Sequence, residues 1–197
     1  MVNKIQLAPR VLACTAPTFL VGVMVDGKPN FLTIGLCGGV NSLPPMVSVS
    51  IRPERYSMKG ILQNREFSVN VPSIDQVKET NYCGVVSGAN VDKVSACKFN
   101  VFFGTLKHAP LIEQCPVNME CTVEQILDLG SHRLVIGKVV GTHINDTCLT
   151  DGRPDVLKIK PLIFTAPPPD TYHSLGKTAG RPPKLPEERK KTGNKQD

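Results

Sequence analysis

Apolar and polar residues alternate along several short segments of this chain, as they do in strands that bury one face. Residues 46–52 (MVSVSIR) and 66–71 (EFSVNV) show this two-residue period most clearly, with Phe67, Val69 and Val71 on one face of the second segment. The segments that predict strands are residues 11–16, 19–25, 31–36, 46–52, 66–71, 116–127 and 132–142, and residues 156–159 and 162–164 complete the body of the protein.

Short helices are predicted between these strands. Ser57 is the predicted N-cap of a helix that runs to about Asn64. Ser73 is the predicted N-cap of a segment over residues 74–86, and residues 91–97 form two further helical turns. The chain lacks the regular alternation of strand and long helix that parallel sheets require. The pattern therefore predicts a mainly β protein, a closed antiparallel barrel with helical caps.

Composition divides the chain into two parts. The 197 residues, with 17 prolines and 16 glycines, predict one domain built of short elements over residues 1–166 and a proline-rich tail or arm over residues 167–197. The net charge is +6, and half of it lies in the last 17 residues, which have too few apolar side chains to fold alone. A solvated tail, or an arm against a partner subunit, is favoured over nucleic-acid binding because no aromatic residues are interleaved with the charges.

Several classes of protein find no support in the sequence. No apolar run has the length of a membrane span or of a signal-peptide core, and the seven cysteines are scattered without a C-x-x-C pair. The prediction is a protein of the reducing cytoplasm that binds neither membrane nor metal. Motifs of Rossmann dinucleotide-binding proteins, P-loop enzymes, zinc proteases and serine hydrolases are absent.

A candidate anion site lies where the strand over residues 46–52 gives way to the predicted helix. Arg52, Arg55 and Lys59 stand close to Tyr56 and Ser57 in this stretch. A helix start offers free backbone N–H groups and the positive end of the helix dipole, so these residue types together favour a phosphate. The alternative is a solvated turn at the end of a barrel strand.

Several modest motifs follow one another between residues 31 and 132. They are Asn41-Ser42 with Pro45, then Arg52 and Ser57, the segment 66–71, Asp92-Lys93, residues 110–113 (PLIE), residues 120–123 (ECTV), and Gly130-Ser131-His132. In this order the chain resembles the flavin reductase-like family, the FMN-binding split barrels that include flavoredoxins and small flavin or ferric reductases. The resemblance covers roughly residues 8–165. The chain departs from the family pattern at Val94, where the family has Phe, and at Ser131, where the family has Asp.

The resemblance implies a six-stranded Greek-key split barrel with non-covalently bound FMN. It implies that the FMN phosphate meets Arg52, Ser57 and Lys59, with Asn41 and Ser42 nearby. Backbone groups of residues 33–37 would bond the ring edge, and Tyr56 would cover the ring. The full set of implied cofactor-binding residues is Thr33, Ile34, Gly35, Leu36, Cys37, Asn41, Ser42, Arg52, Tyr56, Ser57, Lys59, Asn81, Cys83, Lys93 and Phe164, and His132 is the implied catalytic contact to nicotinamide or flavin.

Two functions are compatible with the resemblance, and a third with the tail. One is a flavin or ferric reductase that takes electrons from NADH, NADPH or a protein donor through bound FMN. The other is a flavoredoxin-type electron carrier with a redox protein partner and no nicotinamide activity, which the Ser131 substitution favours slightly. The remote alternative is a colourless barrel that binds nucleic acid through its basic tail. The family also implies a homodimer.

Overall fold

The computed structural model describes residues 2, 4–6, 8–9, 15–166 and 170–180. The strands are β1 (Ala16–Pro17), β2 (Phe19–Val25), β3 (Lys28–Ile34), β4 (Cys37–Ser42), β5 (Pro45–Ile51), β6 (Glu66–Val71), β7 (Val101–Phe102), β8 (Leu111–Ile112), β9 (Val117–Asp128), β10 (Arg133–Ile144), β11 (Leu149–Thr150), β12 (Arg153–Pro154), β13 (Ile163–Thr165) and β14 (Thr171–His173). The helices are α1 (Tyr56–Asn64), α2 (Val77–Val85), α3 (Lys93–Cys97) and α4 (Val156–Ile159), with 3₁₀ turns at Ile74–Gln76 and Asp146–Cys148. Within these residues no helix has the length and hydrophobicity to cross a membrane.

Seven strands form one antiparallel sheet in the order β3-β2-β6-β9-β10-β5-β4. The prediction of a mainly β protein with short helices is confirmed, but the described residues show a seven-stranded sheet and no closed six-stranded barrel. The extra strand arises because the chain bends at Gly35 and Leu36. The bend divides one extended segment into β3, which pairs with β2, and β4, which pairs with β5. The two edge strands of the sheet are thus consecutive in sequence.

The main core is filled by one face of each long strand. Its fully buried members include Val21, Val23, Val49, Phe67, Val69, Cys121 and Val135. Three alternate residues of β9, Met119, Cys121 and Val123, pack in this cluster. Burial of this apolar area at about 25 cal/mol per Å² is the main force that holds the sheet in its curled form.

The opposite face of β6 is buried as well, although its residues are polar. Asn70 is fully buried, and its Nδ2 donates to the backbone oxygen of Leu20 at 2.9 Å. Its Oδ1 accepts from the backbone N–H of Ile112 at 2.9 Å and from Nδ2 of Asn118 at 2.8 Å. Buried amides need such partners, since an unpaired one costs about 1–3 kcal/mol. This network attaches the segment around β8 to the sheet.

The predicted N-cap residues of the helices are confirmed in part. Ser73 caps the 3₁₀ turn over Ile74–Gln76 with a full capping box, as predicted, and Asp92 caps α3. The prediction of Ser57 as N-cap is wrong, because Arg55 holds the cap position and Ser57 lies in the first helical turn. Residues 156–159, for which the sequence pattern specified no element, form the short helix α4.

A small three-stranded sheet joins elements on both sides of residue 166. Strand β14 pairs with β13, which pairs in turn with β1. The rings of Phe164 and Tyr172 pack with centroids 5.4 Å apart across this small sheet. Most of the predicted strand 11–16 and the charged end of the predicted tail, residues 181–197, fall outside the described residues.

Helix α1 lies directly against β2 through Gly60. A Cβ atom on Gly60 would stand 2.3 Å from the backbone oxygen of Met24 and 2.5 Å from a methyl group of Val23. The helix ends at Asn64, as predicted, and the next residue, Arg65, takes a left-handed backbone conformation. A side chain at this position would force the backbones of α1 and β2 apart. The lack of a side chain at Gly60 therefore allows α1 to pack at its observed distance from β2.

Gly60→Ala is expected to lower the free energy of unfolding by about 1–2 kcal/mol net, because overpacking outweighs the roughly 1 kcal/mol gained in helix propensity. Urea unfolding followed by circular dichroism measures the change. Gly38→Ala is the matched control, since no heavy atom lies within 4 Å of its added Cβ. Equal stability of the Gly60 variant and the wild type would contradict this account of how α1 is seated.

Candidate functional site

The start of α1 is the focus of the candidate site. Arg52 directly follows β5, and the backbone N–H of Arg55 donates to the Arg52 oxygen at 3.0 Å, which turns the chain into the helix. No side chain among the described residues caps this helix start. The first backbone N–H groups of α1 are therefore available to an anion, with the positive end of the helix dipole behind them.

A cavity of about 320 Å³ opens at this helix start. Arg52, Arg55 and Lys93 line it together with a single acidic residue, Glu54. The Arg52 guanidinium lies 3.9 Å from the Glu54 carboxylate, and both side chains are more than half exposed, so this pair neutralises little of the charge. The cavity carries a clear excess of positive charge.

Ser57 and Asn30 form the polar floor of this cavity. Nδ2 of Asn30 donates to Oγ of Ser57 at 2.7 Å, and both residues are buried. Since a hydroxyl both accepts and donates, Ser57 keeps its hydrogen for a ligand. Gly88 contacts Asn30 so closely that an added Cβ would lie 1.9 Å from its Oδ1. Only glycine allows the segment after α2 to close this side of the cavity.

Lys93 is 2% exposed and contacts the cavity from α3. Its Nζ donates to the backbone oxygens of Phe31 and Cys83, each at 2.8 Å. Burial lowers the pKa of this amine, and the nearby charge of Arg55 acts in the same direction. An ammonium group has three donors, so one remains after the two carbonyl bonds.

A smaller cavity of about 110 Å³ adjoins the first along Leu32, Arg52 and Arg55. Its walls include the end of β3 over residues 33–35 and the side chain of His132. The hydroxyl of Ser131 lies 3.0 Å from Nδ1 of this histidine. The structure thus brings His132, which directly precedes β10, next to the end of β3.

Two of the predicted ring contacts lie next to this smaller cavity. A Cβ on Gly35 would stand 3.4 Å from the Phe164 ring, so Phe164 flanks the bend between β3 and β4. Cys37 follows the bend, and its thiol donates to the backbone oxygen of Pro17 at 3.3 Å. Burial raises the pKa of Cys37 to about 12, so it is a packing residue rather than a nucleophile. Leu36 is half exposed.

Other predicted residues lie apart from the two cavities. Asn41 and Ser42 stand at the tip of the β4–β5 hairpin, opposite Met46 and Pro45. At about 3.3 Å per residue the hairpin tip is roughly 16 Å from Ile51, the last residue of β5 before the anion site. Asn41 donates to the backbone oxygen of Pro44 at 2.8 Å, a bond within the hairpin turn.

Lys59 and Tyr56 contact the turn between β2 and β3. Nζ of Lys59 lies 2.7 Å from Oδ2 of Asp26, and the Tyr56 hydroxyl donates to the same oxygen at 3.2 Å. Hydrogen bonding by Lys59 lowers the pKa of Asp26. Lys59 is therefore engaged outside the cavity, whereas the Tyr56 ring remains part of its wall.

The predicted contacts from α2 have different roles. Asn81 is exposed on the outer side of the helix. Cys83 is fully buried, and its backbone oxygen holds Lys93. Its Sγ lies 3.9 Å from that of Cys97, and burial is the main cause that raises its pKa far above the usual range. Sequence reasoning missed Asn30 and Gly88 because neither lies in a motif or a periodic segment.

The flavin reductase like domain model matches residues 11–165. The chain belongs to the flavin reductase-like family. Among solved structures, the flavoredoxin of Methanosarcina acetivorans is 37% identical with a TM-score of 0.87 and covers 91% of this chain and 95% of its own. The flavoredoxin of Desulfovibrio vulgaris (Miyazaki F) is 30% identical with a TM-score of 0.85 and covers 91% and 97%. A flavin reductase (NADH) of Kitasatospora aureofaciens is 28% identical over 64% of each chain.

The lowered pKa of Lys93 predicts a pH dependence of stability in this flavin reductase-like protein. The folded protein releases this proton at lower pH than the unfolded chain, so the unfolded chain binds more protons as the pH approaches the ordinary lysine value of 10.5. The free energy of unfolding is then expected to rise with pH in that range, relative to a variant without the amine.

Urea unfolding of the wild type and Lys93→Met between about pH 8 and pH 10 tests this expectation. The difference between the two proteins isolates Lys93 from the buried cysteines, which titrate in both. Lys78→Met, at an exposed position on α2, is the matched control and should keep the wild-type pH profile. Parallel profiles for Lys93→Met and the wild type would show that the amine is not held in a disfavoured charged form.

Proposed function

We propose that this flavin reductase-like protein binds FMN without a covalent bond and moves electrons through it. One observation carries the proposal. A cluster of three cations at an uncapped helix start opens directly into a cavity walled by the backbone at the end of β3. A phosphate ester with a flat polar ring needs a cationic site for the phosphate and, next to it, a cavity with backbone hydrogen-bonding groups for the ring.

The larger cavity fits the phosphate. Arg52 and Arg55 supply guanidinium donors, and α1 supplies backbone N–H groups and the hydroxyl of Ser57. Hydrogen bonds between charged groups are about twice as strong as those between neutral groups, so the arginines supply most of the affinity for the FMN phosphate. Lys93 adds a buried charge with one free donor direction.

The smaller cavity fits the ring. The backbone of Thr33, Ile34 and Gly35 offers donors and acceptors to a ring edge, and the neighbouring bend is free of a side chain at Gly35. Phe164 closes the outer side of the bend. Asn41, Ser42 and Lys59 are left out of the proposed site, because their observed partners lie elsewhere.

Bound FMN would supply the electron-transfer chemistry itself. The residues of this chain hold the phosphate, orient the ring against β3 and limit access of water. His132 lies at the ring end of the site, where its imidazole can accept or donate a proton at Nε2 while Nδ1 is engaged by Ser131. No strong acid–base pair is needed in this arrangement, because the bound flavin would supply the redox chemistry.

Arg52→Ala is expected to weaken FMN binding at least tenfold, because it removes charge-assisted hydrogen bonds of about 1.5–3 kcal/mol. Isothermal titration of the apoprotein with FMN measures the change, and riboflavin provides a ligand without the phosphate. Riboflavin binding should change less than twofold. The control Arg153→Ala alters an exposed arginine of β12, remote in the chain from α1. Unchanged FMN affinity in Arg52→Ala would refute the assignment of the phosphate end.

The electron donor divides the proposed function into two candidates. Similarity to two flavoredoxins, together with Ser131 in place of an acid beside His132, favours an electron carrier reduced by a protein. Similarity to a flavin reductase (NADH), and the position of His132 at the ring end, favour direct reduction by NADH or NADPH.

Stopped-flow absorbance of the FMN-loaded protein mixed with NADH or NADPH separates these candidates. For a nicotinamide-dependent reductase we expect rapid bleaching that His132→Ala slows at least tenfold while FMN affinity stays within twofold. An electron carrier should show no bleaching faster than that of free FMN under the same conditions. Fast bleaching that His132→Ala leaves unchanged would remove the histidine from the nicotinamide site.

We also propose that the protein is a homodimer. Strand β4 is an edge of the main sheet, and Val40 is 51% exposed on it, with Leu43 89% exposed at its tip. Exposed apolar residues on a sheet edge are typical of surfaces that pair with another chain.

A further inference from the structure

Two cysteines on neighbouring helices lie side by side, and the proposed site uses neither thiol. Among the six described cysteines, all of them free thiols, the sulfur atoms of Cys83 and Cys97 are 3.9 Å apart. Cys83 lies on α2 and is fully buried, whereas Cys97 is the last residue of α3 and is partly exposed. The pair therefore combines one sulfur that solvent reaches with one that the core protects.

The contact between the two sulfur atoms is close to the geometry of a disulfide. The S–S bond of a disulfide is about 2.05 Å long, so the two atoms would have to approach each other by about 1.9 Å. Rotation of the partly exposed Cys97 side chain about its Cα–Cβ bond moves its sulfur by a distance of this order. Neither helix has to leave the sheet for the bond to form.

The segment between the two cysteines walls the candidate site. Residues 86–88 and Lys93 line the anion-binding cavity, and residues 88–92 line a cavity of about 570 Å³ that adjoins it. Helix α2 ends at Val85 and α3 begins at Lys93, so the two cysteines bracket this whole segment. A bond between them would close the wall of the site into a loop that is fixed at both ends.

Polar contacts hold the two helices in the reduced protein. The hydroxyl of Thr33 donates to the backbone oxygen of Thr80 on α2, and Nζ of Lys93 on α3 donates to the backbone oxygen of Phe31 at 2.8 Å. Between the helices, Nζ of Lys93 also donates to the backbone oxygen of Cys83 at 2.8 Å. A disulfide would add a covalent link beside this single hydrogen bond.

Cys97 is the thiol that an oxidant in solution meets first. Burial raises the pKa of this thiol, and the charge of Glu79 acts in the same direction. The hydrogen bond with Cys83 and the charge of Lys93 lower the pKa. Since the thiolate is the reactive form, a raised pKa makes the reaction slow at neutral pH without preventing it.

We propose that Cys83 and Cys97 form a reversible disulfide when the protein meets a peroxide, and that this bond restrains the cavity wall between them. The Cys97 thiolate attacks hydrogen peroxide, so that an S–O bond forms, the O–O bond breaks and hydroxide leaves. The Cys83 sulfur then attacks the Cys97 sulfur, so that the S–S bond forms and the S–O bond breaks. The two thiol protons convert both departing hydroxides to water, and the two electrons lost by the thiols reduce the peroxide.

The disulfide would regulate the flavin site, a consequence that rests on the proposed function. A phosphate bound at Arg52 and Arg55 lies against residues 86–88, because all of them line one cavity. Release of the ligand is easier when this wall moves outward. In the oxidised protein the wall is tethered at both ends, so we expect slower FMN release, and a dithiol that reduces the disulfide restores the faster release.

Peptide mapping of the full-length protein tests the disulfide directly. The protein is treated with hydrogen peroxide at about pH 8, alkylated and digested with trypsin. Cleavage after Lys78, Lys93 and Lys98 yields the peptides 79–93 and 94–98, each of which contains one of the two cysteines. We expect these two peptides to be recovered as one disulfide-linked species in most of the protein, and dithiothreitol to separate them.

Amide hydrogen exchange measures the restraint on the wall. Residues 86–92 should exchange at least threefold more slowly in the oxidised wild type than in the reduced wild type. Cys97→Ser should form no linked peptides and show the same exchange before and after peroxide. Cys148→Ser is the matched control, because it removes a cysteine of the 3₁₀ turn at Asp146–Cys148 and should respond as the wild type does. Oxidation of methionines occurs in every variant and therefore cancels in these comparisons.

The outcomes separate this inference from the proposed function. Absence of the linked peptides after peroxide, or unchanged exchange of residues 86–92 in the linked protein, overturns the inference. FMN release, followed as the rise of flavin fluorescence on dilution, should be at least threefold slower after oxidation of the wild type and unchanged in Cys97→Ser. Equal release from the oxidised and reduced wild type overturns the regulation of the site. A wild type that binds no FMN overturns the proposed function, and the linked peptides and the exchange still decide the disulfide.

Discussion

The arrangement of the site depends on positive charge that the protein does not neutralise itself. Lys93 is buried against two carbonyl oxygens, no carboxylate of the described residues forms an ion pair with it, and Arg55 lines the same cavity. Burial lowers the pKa of Lys93, and the nearby positive charge of Arg55 acts to a smaller extent in the same direction. The proposed anionic ligand would offset this positive charge, and its binding would therefore stabilise the folded protein.

The surrounding fold serves to bring separate segments to that charge. Close packing at Gly60 sets α1 on β2, and close packing at Gly88 brings the end of the α2 segment to Asn30. The bend at Gly35 turns the end of β3 towards the start of β10, where His132 lies. At Gly60 and Gly88 the lack of a side chain allows the backbone to lie close to another element. The site is thus assembled from four stretches that are remote in sequence.

Much of the sheet could be predicted from the sequence, because alternation of apolar and polar residues directly reports which face of a strand is buried. Strand β6 matched its predicted bounds, yet its polar face is buried under the segment around β8, which no local pattern indicates. The common cavity of Arg52 and Ser57 could be anticipated because charge and a helix start coincide in sequence. Asn30 and Gly88 were missed, since their importance arises only from contacts between distant segments. Lys59 was assigned to the phosphate on its nearness in sequence to Arg52 and Ser57. Its observed partner, Asp26, is 33 residues away in sequence, so no local pattern indicates it.

The order of the main sheet has a mechanical consequence. Its two margins, β3 and β4, belong to one continuous stretch of chain with only Gly35 and Leu36 between them. In a sheet whose edge strands are far apart in sequence, each edge strand can open independently. Here the opening of one edge strand displaces the other, because the two are consecutive in the chain. Amide protons at both margins should therefore exchange with solvent in a single concerted opening rather than strand by strand. The candidate site lies at that junction and is expected to open together with these two edge strands.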